Sequence, residues 1–182
     1  CGAIVEFVDI DVGTYNMSIE VLREKLVQAK KENKLPKLVV PVHFSGQSCE
    51  MKDIWELSKE YGFKVIEDAS HALGGEYKNK KVGCCEYSHI TVFSFHPVKM
   101  ITTGEGGAIT TNDKDLDEKI KLLRSHGIIR NKEKFKNNND GDWYYEQQAL
   151  GFNYRLTDIQ AALGISQLKR LDGFVSKRRE IA

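Results

Sequence analysis

The feature that most restricts the fold of this chain is an alternation. Short runs rich in β-branched residues take turns with longer stretches whose apolar residues recur at helical spacing. Ala3 to Ile10 reads as a first strand that enters a turn at Asp11 to Thr14. Ile19, Leu22, Leu26 and Ala29 then mark one face of a surface helix, ended by Asn33 to Pro36. Leu38 to Phe44 is a second strand, and its Pro41, which lacks an N–H for a ladder, suits an edge or irregular position. Ser45-Gly46-Gln47 closes that strand with a loop. Met51, Ile54, Trp55, Leu57 and Ser58 predict a second amphipathic helix with Gly62 as its stop, and Phe63 to Glu67 predicts a third strand. Strand, helix, strand, helix, strand in that order implies parallel pairing through crossover helices, the α/β class. Ligands of such sheets gather outside the carboxyl ends of the strands, and Asp68 and His71 fall immediately after one.

Further along, Leu73-Gly74-Gly75 begins a turn-rich excursion whose tip, Lys78 to Lys81, reads as a solvated hairpin turn. Ile90 to Phe93 is a buried strand and Ala108 to Thr111 another. Asn112 is the expected cap of a helix carrying Leu116, Ile120 and Leu123, with Asp113 and Asp115 near its positive end and Ser125-His126-Gly127 at its close. The region from about 128 to 148 is polar, without periodicity, and interrupted by Trp143-Tyr144-Tyr145, so a long loop is expected. Thr157 then caps a helix with Gln160 in the capping-box position, and Gly173 marks a joint before a further helix from Phe174 to Ala182.

A chain of 182 residues that is 41% hydrophobic can bury one sizeable core. A net charge of +1 gives no global attraction to nucleic acid or to an anionic membrane, so an acidic ligand must be met locally. No run is long enough to span a bilayer. Cys1, Cys49, Cys84 and Cys85 lack metal-ligand spacing and make a poor disulfide framework, so reduced thiols in a cytoplasmic protein are expected. His43, His89, His96 and His126 show neither metal-ligand spacing nor a nearby carboxylate pattern, and no zinc site is built from them. A chain that opens on Cys1 and closes on Arg178-Arg179-Glu180 in mid-pattern reads as a piece of a longer protein.

Between the strands at Ile90 and Ala108 sits one lysine, Lys99, flanked by Val98, Met100 and Ile101. Two readings of such a lysine stay open on these residues. Its stem could run along the apolar neighbours and carry the charge out of the loop. Alternatively, a half-enclosed amine becomes a nucleophile toward carbonyls, which is how pyridoxal phosphate is held. Gly104, Gly106 and Gly107 do not form a nucleotide-binding loop and are expected to allow tight turns beside the lysine.

Ser94-Phe95-His96-Pro97-Val98-Lys99 followed by Thr102-Thr103-Gly104-Glu105-Gly106-Gly107 resembles the cofactor-lysine signature of sugar aminotransferases that act on nucleotide-linked keto sugars, the DegT/DnrJ/EryC1/StrS type. The blocks Glu67 to Gly74 and Gly151 to Ala162 match the same family, so the resemblance covers nearly the whole chain but only the middle of such an enzyme. It implies part of the large domain of the aspartate aminotransferase fold, fold type I of the pyridoxal-phosphate enzymes, with a mostly parallel central sheet flanked by helices. Residues 1–172 would then be that domain, incomplete at its N-terminus, and 173–182 the start of a helix leading to a small C-terminal domain.

The resemblance also implies roles. Lys99 would hold pyridoxal 5'-phosphate covalently and, once freed, act as general base; histidine at this position would mark the dehydratase branch instead. Asp68, by itself a strand-end acid, would keep the pyridine nitrogen protonated. His71 would lie beside the ring, a structural histidine being the other reading, and Ser94 would bind the phosphate. Asn153 would reach the phosphate of a partner subunit, making a homodimer with shared active sites. Arg155 would stabilise that loop or face an anionic group of the substrate. Trp143 and Tyr144 would either cover the sugar nucleotide or anchor their loop. The implied reaction moves an amino group from glutamate to C4 of a UDP-linked 4-keto-6-deoxy-N-acetylhexosamine, for pseudaminic acid in surface glycan or flagellin. Amination of another nucleotide-linked sugar, such as a dTDP-3-keto-6-deoxyhexose, and an inactive fragment are the alternatives.

Overall fold

The computed structural model describes residues 2–136 and 141–182; Cys1 and the tip of the predicted loop at 137–140 lie outside the described residues. The chain divides into two compact units, residues 1–112 with 159–182, and residues 113–158.

In the first unit, α1 (Ile19–Lys31) starts where the Ser18 hydroxyl accepts a hydrogen bond from Val21 N–H, and it buries Leu22 and Leu26. Strand β1 (Leu38–Val39) leads to α2 (Met51–Tyr61), which buries Met51, Ile54, Leu57 and Ser58. Gly62 ends α2 in the left-handed conformation at φ 80°, its N–H bonded to Ser58 O, as expected of a glycine stop. β2 (Lys64–Asp68), the hairpin of β3 (Glu76–Tyr77) and β4 (Lys80–Lys81), β5 (Ile90–Ser94) and β6 (Gly107–Thr110) follow. The central sheet has the order β1-β2-β5-β6, with β1, β2 and β5 parallel and β6 antiparallel to β5. Leu22, Leu26, Val39, Cys49, Met51, Ile54, Leu57, Phe63 and Val65 form one core cluster, drawn from α1, α2, the strands β1 and β2 and the loops that flank α2. Each fully buried leucine or isoleucine there contributes about 1.5–3 kcal/mol.

Several expectations are corrected. Ala3 to Ile10 makes no strand ladder among the described residues: Ile4 and Phe7 are 95% and 82% exposed, and Ile10 only bridges Met17 across the turn. Apolar character favours a strand, but a ladder needs a partner that the run does not find here. The strand predicted over 38–44 shortens to Leu38–Val39, because Pro41 cannot donate, and resumes as an isolated bridge between Val42 and Asp68. The basic tip at 78–81 does form a hairpin, in which Glu76 pairs with Lys81 and Tyr77 with Lys80.

In the second unit, α3 (Lys114–Arg124) is capped by Asp113 and not by Asn112: Asp113 Oδ1 accepts from Asp115 and Leu116 N–H, while the Asn112 amide donates to Cys84 O and Cys85 O. The predicted long loop carries structure, with β7 (Ile128–Ile129) antiparallel to β8 (Glu146–Gln147) and a 3-10 turn at Lys132–Lys134. Helix α4 (Asp158–Leu168) begins directly after Thr157, as expected, and from Ile159 onward it and α5 (Leu171–Ile181) belong to the first unit. The break between them is at Lys169-Arg170, and Gly173 lies inside α5; a helix tolerates one interior glycine at about 1 kcal/mol. No helix among the described residues is long and apolar enough to cross a membrane.

Candidate active site

Asp68 and Ser94 are the last residues of β2 and β5, neighbouring parallel strands in which Asp68 pairs with Val92. Because side chains alternate along a strand, Ser94 shares a sheet face with Val92 and therefore with Asp68, displaced by about 6.7 Å along the strand. Both are partly buried. Ser70 N–H donates to Asp68 Oδ1 at 3.0 Å, which leaves Oδ2 for another donor. The Ser94 hydroxyl oxygen accepts from His96 N–H at 3.4 Å and keeps its own proton to donate.

Lys99 lies in the loop from β5 to β6, and that loop is pinned at its base. Phe95 N–H donates to Gly106 O (2.8 Å), and Phe95 O accepts from Thr103 N–H and from the Thr102 hydroxyl, both at 3.0 Å. The Glu105 carbonyl accepts from the Thr103 hydroxyl (2.8 Å) and from the Gln160 amide of α4 (2.9 Å). Gly104 turns the loop at φ 79°, and a Cβ on Gly107 would come within 2.6 Å of Phe93 O. The glycines therefore serve tight turns and close approach, as expected. Lys99 is half-buried, and among the described residues its amine has no hydrogen-bonding or ion-pairing partner.

His71 follows the end of β2 and is exposed, its ring 6.3 Å from that of Phe44 in an edge-on arrangement. Asn16, 4% exposed, holds Phe44 in place by accepting from Phe44 N–H (2.9 Å) and donating to Gln47 O (3.0 Å).

One constellation escaped the sequence. His43, expected to lack a carboxylate partner, is 2.8 Å from Glu67 through Nε2, and both are buried. Glu67 also accepts from the Thr91 hydroxyl at 2.7 Å and from the Ser88 hydroxyl. Cys49 N–H donates to His43 Nδ1 at 3.1 Å, so Nδ1 is the acceptor and Nε2 carries the proton. The signal that could have found it is Glu67 itself, a carboxylate in alternation with the buried Val65 and Ala69, where an unpaired charge is not tolerated. Cys49, Cys84 and Cys85 are free thiols. Among the described residues no group of three His, Cys, Asp or Glu could hold a metal ion.

The remaining candidates belong to residues 113–158. Asn153 bridges Ser125, and the Arg155 guanidinium lies 3.4 Å from Asn153 Oδ1 and 3.5 Å from His126 Nε2, so within this unit Arg155 braces the loop of Asn153. The surrounding surface is apolar and open: Phe152 and Tyr154 stack with ring centroids 4.9 Å apart, and Leu150 is 90% exposed. Tyr144 packs edge-on against Phe135 at 5.1 Å, which fits an anchor, whereas Trp143 is 71% exposed.

A mostly parallel α/β sheet flanked by helices is the fold of the solved aminotransferases that this structure resembles. The chain belongs to the DegT/DnrJ/EryC1/StrS aminotransferase family, whose model matches residues 1–182. It is 48% identical over 180 residues to the UDP-4-amino-4,6-dideoxy-N-acetyl-beta-L-altrosamine transaminase of Campylobacter jejuni, covering 99% of this chain and 44% of that protein. The structure resembles that of the Helicobacter pylori aminotransferase involved in the biosynthesis of pseudoaminic acid, with a TM-score of 0.82 and 40% identity over 96% of this chain and 42% of that one. It also resembles a Streptococcus pneumoniae protein assigned as a sugar aminotransferase and solved in its PLP form, with a TM-score of 0.79 and 27% identity over 99% of this chain and 46% of that one. The chain thus spans less than half the length of these relatives.

Proposed function

We propose that this chain is the cofactor-binding part of a pyridoxal-phosphate-dependent aminotransferase. The enzyme transfers an amino group from L-glutamate to C4 of a UDP-linked 4-keto-6-deoxy-N-acetylhexosamine in the biosynthesis of a pseudaminic-acid-type surface sugar. The observation that carries the reading is the placement of Asp68, Ser94 and Lys99 at the carboxyl ends of adjacent parallel strands and in the loop beyond them. The choice of a C4 ketone on a UDP sugar is supported by the similarity to the altrosamine transaminase.

The donor set suits pyridoxal phosphate. A carboxylate oxygen is left for the ring nitrogen, a hydroxyl proton for the phosphate, and an unpaired amine for the aldehyde carbon. Bound there, the cofactor supplies a carbon that carries the amino group and a ring that delocalises the electron pair left by a departing proton. Lys99 Nζ would hold the cofactor covalently and, once freed by the amino donor, would act as the general base that carries the proton between the substrate carbon and the cofactor carbon on the other side of the shared nitrogen. Asp68 would hold a proton on the ring nitrogen, Ser94 would donate to a phosphate oxygen without adding a charge, and His71 would pack beside the ring. Asn153 would reach the phosphate held by a partner subunit, with Arg155 bracing its loop, and Trp143 and Tyr144 would cover the sugar nucleotide. The exposed apolar surface around Asn153 supports a homodimer with shared sites. Free thiols and a nucleotide-sugar substrate suit the cytoplasm. Residues 1–172 form the large domain and 173–182 lead toward a smaller one.

The test uses the full-length protein. Pyridoxal phosphate is added, the absorption spectrum is recorded, and the complex is reduced with borohydride and mapped by peptide. The expected result is a visible band and a label on Lys99, followed by glutamate-dependent amination of the UDP 4-keto sugar in preference to dTDP 3-keto sugars. A full-length protein without band or label is no aminotransferase of this type; labelling with turnover of the dTDP sugar instead would retain the cofactor site and discard the substrate.

A further inference from the structure

The reaction above gives no part to the most deeply buried polar cluster of the first unit, that of His43, Glu67, Ser88 and Thr91. His43 is 0% exposed, Thr91 0%, and Glu67 and Ser88 5% each. Stability alone is a poor reason for such a cluster, because well-packed apolar residues of similar volume commonly hold a core as well as a buried ionic group does. Its placement is more informative.

Asp68 is clamped to the extension of β1 by two main-chain bonds: Asp68 N–H donates to Pro41 O at 2.9 Å, and His43 N–H donates to Asp68 O at 3.0 Å. The ring of that same His43 donates from Nε2 to the carboxylate of the preceding residue, Glu67, so backbone and side chain close a ring around the end of β2. On its other side Glu67 accepts from the Thr91 and Ser88 hydroxyls. Thr91, in β5, is the register partner of Glu67, one step before the Asp68–Val92 pair. A single carboxylate therefore ties the β1 extension, β2 and β5 together on the face opposite Asp68 and Ser94, at the level just beneath them.

We propose that Glu67, held by His43, Ser88 and Thr91, is a positioning residue that sets the spacing of Asp68 and Ser94 across β2 and β5 and so tunes cofactor affinity. This rests on the cofactor reading of the site. Two changes at His43 separate its two hydrogen bonds. His43→Gln can still reach Glu67 with a donor but gives up the acceptor for Cys49 N–H. His43→Asn keeps an acceptor near Cys49 and has no donor that reaches Glu67.

In the full-length protein, pyridoxal phosphate affinity is measured by absorption titration, cofactor release by its rate, and stability by thermal melting. Ile54→Val, a trimmed residue of the core cluster, serves as a control for destabilisation alone. The expected result is that His43→Asn weakens cofactor binding about tenfold and speeds release, that His43→Gln stays within about threefold of wild type, and that Ile54→Val lowers the melting temperature with affinity unchanged. Thr91→Val, which removes one donor to Glu67 with little change of shape, is expected to weaken binding about threefold or more and decides the matter if a His43 variant fails to fold. Equal effects of the two His43 variants in step with their melting temperatures, or no effect of Thr91→Val on affinity, would overturn the proposal. Failure of the wild-type protein to take up pyridoxal phosphate would be seen before any variant is made, and would remove the cofactor reading and this role together.

Discussion

Burial pushes the Glu67 carboxyl up, but hydrogen bonds from His43, Ser88 and Thr91 outweigh it and hold the group below the ordinary carboxylate range. The unfolded carboxyl titrates near pH 4.3, so the stability that Glu67 contributes is fully present above about that pH and is lost as the pH falls through the lower folded value. Glu67→Gln is therefore expected to cost about 3 kcal/mol at pH 7, with the gap from wild type narrowing below about pH 4. Thermal melts of both proteins across that range check this, and a gap that stays constant to pH 3 would mean that the carboxylate is not what the fold relies on. Thiols offer a second contrast. Burial raises the Cys49 thiol to about 12, whereas Cys84 is exposed. A disulfide reagent at pH 8 should modify Cys84 within minutes and leave Cys49 intact until the protein is unfolded, with the modified peptides read by mass. At this scale Lys99, Asp68 and Ser94 were singled out because each stands in a local block that resembles the family's, and a block of a few residues is visible without the fold. The His43–Glu67 pair was not, because its members are 24 residues apart and neither neighbourhood names the other.

Among the elements, helices were read most closely. α1 and α2 follow apolar residues recurring every three or four positions, a pattern written within one or two turns of chain. Leu57, 1% exposed in α2, should cost about 2–5 kcal/mol when changed to alanine, measurable by urea unfolding. Strands were read less well, since the same apolar run can pair or stay open. Ala3 to Ile10 has strand-like composition and no ladder among the described residues, while Ile128–Ile129, in a stretch without periodicity, pairs with Glu146–Gln147. β6 depends on close approach: Gly107 is the register partner of Ser94, and a methyl group on it would meet Phe93 O. Gly107→Ala is expected to destabilise by about 1–3 kcal/mol and to weaken pyridoxal phosphate binding as β6 shifts from β5. Unchanged cofactor affinity alongside a lower melting temperature would show that Ser94 does not depend on β6.

For the whole molecule, the proposed dimer is tested on the apolar surface around Asn153. Phe152→Asp in the full-length protein places a charge between Leu150 and Tyr154, and sedimentation velocity at micromolar concentration should show a shift to monomer with a parallel loss of activity. A monomeric variant that keeps full activity would remove Asn153 from any shared site. The amino-acid sequence by itself determined the α/β order of elements, the helix faces and most of their ends, and it carries the local blocks, around Asp68, Ser94 and Lys99, on which the proposed cofactor site rests. These depend on spacing within a few residues, where backbone geometry fixes which side chains share a face. Only the tertiary structure decided which apolar runs became ladders, which histidine met the buried glutamate, and how β2 and β5 align so that Asp68 and Ser94 share a face. Those outcomes depend on pairing between segments far apart in the chain, and neither partner's local sequence specifies the register in which the other arrives.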